Sequence, residues 1–74
     1  MLVYLQFVLR VNGGSAVAWP RETKALGMSL THNPLESIGY GSEATALADL
    51  DRWLDKFSFI EEAEVTLFLG EQNA

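Results

Sequence analysis

Residues 2–14, LVYLQFVLRVNGG, form an alternating apolar run that ends in an asparagine and two glycines. Its odd positions from Val3 to Val11 are all apolar, whereas its even positions are mixed. Side chains of a strand point alternately to its two faces, so this pattern predicts a strand whose odd face lies on a core.

The asparagine and glycines predict a tight turn, because hairpins need residues that adopt positive φ angles. We expect a three-residue loop, which places Leu9 opposite Val17 and Phe7 opposite Trp19. This register buries more apolar surface than the two-residue alternative, in which alanines take these places. A slip by one residue would turn the second strand over, so the choice of loop decides which face is buried.

Residues 20–42 contain weaker signals. Pro20 predicts that the second strand ends there or lies at an edge, because proline cannot donate a ladder hydrogen bond. Residues 21–27 fit either one helical turn closed by glycine or a plain loop. The alternation of Met28–His32 predicts a short strand, and Asn33-Pro34 is typical of a turn.

Residues 43–57 predict one long helix, with Ser42 as its N-cap. The spacing of the apolar side chains places them in one arc of the helix, which we expect to lie on the core: Ala46, Leu47, Leu50, Trp53, Leu54 and Phe57. Residues 63–69 alternate again and predict a last strand beside the first, with both in the middle of the sheet.

The expected fold class is therefore α+β, a two-layer sandwich in a single domain over residues 1–74. A mainly antiparallel sheet of three to four strands carries one long helix on one face, and the order along the chain is β-β-β-α-β.

Composition limits the chemistry. The chain has 74 residues, no cysteine and one histidine, which argues against disulfides, a cysteine nucleophile and a zinc site, so no metal or cofactor is expected. The net charge of −5 argues against direct nucleic-acid binding. Residues 1–11 are too short to span a membrane and lack the pattern of a signal peptide, which predicts a cytoplasmic protein with no membrane contact.

Negative charge is concentrated in the second half of the chain. Residues 1–35 hold three basic side chains and one acidic, whereas residues 36–74 hold two basic and nine acidic. One acidic group runs from the helix into the last strand and is either a docking surface for a basic protein partner or a solvated face. Its members are Asp51, Asp55, Glu61 and Glu62. Asp49 is expected on the far side of the helix, near Arg52.

The segment Gly39–Glu43 allows two interpretations. Glycines before a helix N-terminus permit an anion to approach its free N–H groups, but Glu43 would repel a phosphate and Ser42 can satisfy the same groups. The capped helix is the favoured interpretation. The alternative is a small-ligand site or enzyme pocket at this end of the helix, with a weak set of candidate residues: Trp19, His32, Tyr40, Gly41 and Ser42. No histidine pair or other catalytic constellation supports an enzyme, so catalysis is the less favoured class.

The second face of the sheet is the most informative feature. One helix covers one face, so the apolar side chains of the other face need residues 21–41 or a partner to cover them. The predicted interface residues are Leu2, Tyr4, Val8 and Phe68. The favoured function is a small acidic protein-interaction module, homodimeric through this face or a strand edge, of the kind found among regulators and inhibitors from mobile elements.

Overall fold

The computed structural model describes residues 2–67, which form one antiparallel sheet and one helix. The elements in chain order are β1 (Tyr4–Val11), β2 (Gly14–Thr23), β3 (Gly27–Thr31), a 3₁₀ helix (Pro34–Glu36), α1 (Glu43–Lys56) and β4 (Ile60–Thr66). The strand order across the sheet is β3-β2-β1-β4. The predicted α+β class and the order β-β-β-α-β are confirmed.

The last strand lies beside the first, as predicted, with Phe7 opposite Ala63 and Leu5 opposite Val65. The expectation that both are central is wrong, because β4 is an edge strand and β2 is central in its place. Three of the seven β4 residues are glutamates, and charged side chains are typical of strands at a sheet edge.

The predicted three-residue hairpin loop is also wrong. Val11 pairs with Gly14 and Phe7 pairs with Ala18, so the loop has two residues, and its Gly13 has φ +81°. The reason lies in the helix. Ala18 is small and fully buried, and it belongs to the same core cluster as Trp53, the largest fully buried side chain. An alanine opposite Phe7 leaves room for this indole, which two large residues would not.

Pro20 neither ends β2 nor lies in an edge strand. The β1–β2 ladder stops at Ala18, while β2 continues to Thr23 beside β3 alone. Beyond Ala18, the segment that precedes α1 lies beside β2 and the start of β1. Tyr40 exchanges two backbone hydrogen bonds with Val3, and the Pro20 carbonyl accepts one from the Ile38 N–H. The missing proline N–H is tolerated because no β1 partner stands opposite it.

Residues 21–31 are a second hairpin, in place of the helical turn or plain loop expected for their first part. Thr23 pairs with Gly27, which has φ +68°, and Arg21 pairs with Ser29. The predicted strand over Met28–His32 corresponds to β3, and Asn33 caps the following 3₁₀ helix through a hydrogen bond from the Leu35 N–H.

The core lies between α1 and the odd face of β1, as predicted. Its buried members are Val3, Leu5, Phe7, Leu9, Ala18, Tyr40, Ala46 and Trp53. The Trp53 ring stacks on Phe57 with 6.0 Å between centroids and lies 6.5 Å from that of Phe7. The prediction for the helix arc needs one correction, because Leu47 and Leu54 remain exposed on one flank of the helix.

Candidate functional site

The start of α1 is closed by its own N-cap. The Ser42 hydroxyl accepts a hydrogen bond from the Thr45 N–H at 3.1 Å and lies 2.9 Å from the Thr45 hydroxyl. Gly41 is exposed, and Glu43 adds negative charge to the first turn. The capped helix favoured from the sequence is the arrangement observed.

Tyr40 is buried and belongs to the core, not to an open loop. Its hydroxyl donates to Asp49 Oδ2 at 2.5 Å and accepts from Trp53 Nε1 at 3.2 Å. Burial, together with the hydrogen bond to the carboxylate, raises the pKa of Tyr40 above that of a free tyrosine. The ring is therefore part of the packing between helix and sheet.

Asp49 is the centre of a polar cluster that ties α1 to the sheet. Besides Tyr40, it accepts hydrogen bonds from Trp53 Nε1 at 2.9 Å and from Arg52 Nε at 2.7 Å. Arg52 in turn donates from both terminal nitrogens to Glu22 of β2, at 2.8 and 3.2 Å. As expected, Asp49 lies beside Arg52 and on the side of the helix away from Asp51 and Asp55, and this flank faces β2.

The charges of this cluster stabilise one another. Hydrogen bonds from Arg52 hold the pKa of Asp49 down to about 2, with Tyr40 and Trp53 adding in the same direction. The same guanidinium lowers the pKa of Glu22, and both carboxylates raise the pKa of Arg52. Every group is paired, so the cluster acts as an electrostatic clamp and offers no free nucleophile or base.

The sequence placed Asp49 near Arg52 but did not predict the contacts of this pair with Tyr40, Trp53 and Glu22, although a signal exists. Asp49, Arg52 and Trp53 stand at i, i+3 and i+4, which places them on neighbouring rows of one helix. This spacing does not reveal that a buried tyrosine, Tyr40, donates its hydroxyl proton to the Asp49 carboxylate.

Trp19 and His32 lie away from Tyr40. By the alternation of β2, Ala18 faces the helix and Trp19 faces the opposite side of the sheet, where it is buried and pairs in register with Thr31. The Trp19 Nε1 has no hydrogen-bond partner among the residues that the structure describes. His32 is exposed, with Nδ1 3.0 Å from the Val17 carbonyl oxygen.

The structure therefore does not bring the five predicted ligand residues together. Tyr40, Gly41 and Ser42 are consecutive at the start of α1, whereas Trp19 lies on the other face of the sheet and His32 contacts the Val17 carbonyl. Two clefts on the described residues lie elsewhere: one surrounds the Asn12-Gly13 turn, and the other lies between β1 and β4.

The four predicted acidic residues are all exposed but divide between two surfaces. Asp51 and Asp55 lie on the outer side of α1. Glu61 forms an ion pair with Arg10 at 2.6 Å, and Glu62 lies on the face of β4 away from the helix, opposite Val8 in register. Among residues 2–67 no three acidic, histidine or cysteine side chains are grouped so as to hold a metal ion.

Three of the four predicted interface residues lie on the expected face of the sheet. Tyr4 and Val8 are partly exposed, and Leu2 is half exposed beside Gly39. Phe68, the fourth, lies outside the described residues.

The segment from His32 to Gly39 covers part of this second face. Its 3₁₀ helix contacts β2, and Trp19 is buried at that end. The sequence left two alternatives for this face, cover by residues 21–41 or by a partner. Among residues 2–67, this segment covers the half around Trp19 and leaves the half around Val8 and Val17 uncovered.

The chain matches no protein-family model, no curated protein and no solved structure. Within residues 2–67, no helix combines the length and apolar character needed to cross a membrane.

Proposed function

We propose that the protein is a small, cytoplasmic protein-interaction module that forms a homodimer through the uncovered half of its sheet face. This half is called the open face below and consists of Tyr4, Gln6, Val8 and Val17. The observation that carries the proposal is the exposure of apolar side chains here, on the sheet face opposite the one on which the helix packs.

The open face has the character of an interface core. Val8 stands directly opposite Val17 in the β1–β2 ladder, and Val17 is 37% exposed. Leu2, at the margin, is 50% exposed. Contiguous apolar patches of this kind mark contact sites in small domains, which bury too little surface to be strongly stable alone.

A second copy is the favoured occupant because the centre of this face carries no charge. In a two-fold symmetric contact, the residues at the centre face the same patch of the second copy. Charges of one sign at the centre would therefore repel each other. Tyr4, Gln6, Val8 and Val17 are all uncharged, and the nearest carboxylates, Glu62 and Glu64, lie to one side on β4. They would form the polar rim of the dimer.

The acidic surface extends the proposal to a basic protein partner. Exposed carboxylates on α1 and β4 would steer such a partner by long-range attraction. Small size and acidity are also features of regulators and inhibitors from mobile elements. By analogy with that class of proteins, we include a regulatory or inhibitory role in the proposal.

Light scattering after gel filtration, over a dilution series, tests the dimer. We expect twice the 8.2 kDa chain mass for the wild type. Val17→Asp should shift the mass to that of the monomer, because it places two carboxylates across the two-fold contact. Leu35→Asp is the matched control, since Leu35 is strongly exposed outside the open face, and it should remain dimeric. A wild-type monomer at every concentration would refute self-association.

A further inference from the structure

Among residues 2–67, a second apolar surface between α1 and β4, away from the open face, is left uncovered. Leu47 and Leu54 are 48% and 37% exposed on the helix, and Leu67, directly after β4, is 47% exposed. Ala63 and Val65 are partly buried on the helix side of β4. We call these five residues the α1–β4 groove.

The position of the groove follows from the orientation of the helix. Arg52 reaches Glu22 on β2, so its flank of α1 faces the β2 side of the sheet. At 100° per residue, Leu47 and Leu54 lie on the opposite flank, and β4 is the strand on that side in the order β3-β2-β1-β4. The exposed leucines therefore overhang the edge strand.

Over residues 60–65, the outer edge of β4 pairs with no other strand among the described residues. β4 pairs with β1 on one side and is last in the sheet order. An edge strand directs alternate backbone N–H and C=O groups outward, where another extended chain can pair with them. An apolar groove beside such an edge gives alternate side chains of an added strand a place to pack.

Charge decides which added strand fits. On the face of β4 away from the helix, Glu62 and Glu64 are exposed, and they line a shallow cleft with Gln6 and Val8. Asp51 lies on the solvent side of Leu47 and Leu54 by the same helical spacing. Carboxylates thus lie on both sides of the apolar groove.

A second copy of β4 does not suit this edge. Antiparallel pairing of β4 with itself about Ala63 would set Glu62 opposite Glu64 in both directions. Like charges directly across a strand pair are destabilising. This edge therefore disfavours self-pairing and favours a strand of opposite charge.

We propose that the edge of β4 accepts an extended segment of a basic partner protein, in which Lys or Arg alternates with apolar residues. The apolar side chains pack in the α1–β4 groove, and the basic ones meet Glu62 and Glu64 on the other face. This inference rests on the interaction role proposed above and names its partner chemistry. The groove and the backbone edge lie outside the open face, whereas Glu62 and Glu64 border both surfaces.

The test uses the short acetylated and amidated peptide Lys-Val-Lys-Val-Lys-Val-Lys and the full-length protein, followed by NMR amide shifts. We expect saturable shifts centred on β4. The double variant Glu62→Gln/Glu64→Gln should weaken binding by about tenfold, within reach of two partly shielded ion pairs. Glu22→Gln/Glu36→Gln, with the same loss of charge at exposed positions away from β4, should bind like the wild type.

Two control peptides separate strand addition from simple attraction. A peptide N-methylated at alternate valines loses backbone donors and should not bind, and an all-lysine peptide should bind far more weakly because it cannot fill the groove. Equal binding by either control, or shifts centred on β3, would overturn the proposal. Light scattering on the same sample reports the dimer separately, so failure of one proposal is distinguishable from failure of the other.

Discussion

Replacing Asp49 with alanine probes how the helix is held on the sheet. The carboxylate accepts hydrogen bonds from the Tyr40 hydroxyl at 2.5 Å, Trp53 Nε1 at 2.9 Å and Arg52 Nε at 2.7 Å. In the variant the indole keeps one acceptor, the Tyr40 oxygen at 3.2 Å. The buried tyrosine proton loses its acceptor.

The cost follows from that lost acceptor. A buried donor without a partner costs about 1–3 kcal/mol. The Arg52 side chain is 46% exposed, so water screens its pair with Asp49 and the pair adds little. We therefore expect a loss of about 2–3 kcal/mol. Each kcal/mol lowers the melting temperature of a domain this size by about 4–8 °C, so the shift should be on the order of 10–20 °C.

Urea and thermal denaturation, monitored by tryptophan fluorescence, measure this loss. Arg52→Ala removes the exposed part of the cluster and leaves the Tyr40–Asp49–Trp53 hydrogen bonds in place, so its loss should be clearly smaller. Asp55→Ala, at an exposed position of the same helix, should leave stability nearly unchanged. If Asp49→Ala lost no more stability than Arg52→Ala, Asp49 would act only as a surface charge, and the clamp described above would be wrong.

Three further predictions concern single positions. Hydrogen bonds from Arg52 lower the pKa of Asp49 to about 2 in the folded protein, against about 3.9 in the unfolded chain. The contribution of Asp49 to stability is therefore present above about pH 4 and is lost as the pH falls towards 2. Urea denaturation across this range should show a flatter decline for Asp49→Asn, and equal slopes would contradict the assignment. Gly13→Ala should cost about 1–2 kcal/mol because φ is +81°, whereas Gly14→Ala, free of that constraint, should cost less by the same assay. Trp53→Phe should destabilise more than Trp19→Phe, since only the first removes an indole N–H that has partners, and equal melting temperatures would speak against this.

Features encoded by local periodicity were predictable from the sequence. The odd face of β1 and the capped helix from Glu43 follow from residues that are neighbours in the chain, so their spacing alone indicates which side is buried. The class α+β then follows from one apolar face on a sheet and one on a helix.

The hairpin register was not predictable by the same reasoning. A comparison of the apolar area buried between two strands favours Trp19 opposite Phe7. It leaves out the helix, which packs on the same face of the sheet. Trp53, from the helix, fills the space over Phe7, and a small residue at Ala18 is what allows this. The register of β1 and β2 is therefore set by the packing of the helix on the sheet. A comparison of residue pairs across two strands does not include that packing.

Pro20 shows the same limit for hydrogen bonds. The rule that proline belongs at edges assumes that each strand keeps one partner along its length. β2 instead loses β1 after Ala18, and the segment Ile38–Tyr40 takes over the free backbone groups. That exchange depends on residues far along the chain, so no local pattern around Pro20 indicates it.

The polar groups of the domain fall into two sets, those paired inside the fold and those exposed at its surface. Asp49 and the Tyr40 hydroxyl are committed to contacts inside the domain, and so is the N-cap hydroxyl of Ser42. Glu62 and Glu64 remain exposed on an open edge, beside leucines that the fold leaves uncovered. Within residues 2–67, Glu64 accepts only a 3.4 Å hydrogen bond from Gln6 at the surface, and exposed carboxylates beside exposed apolar side chains are typical of the rim of a protein interface.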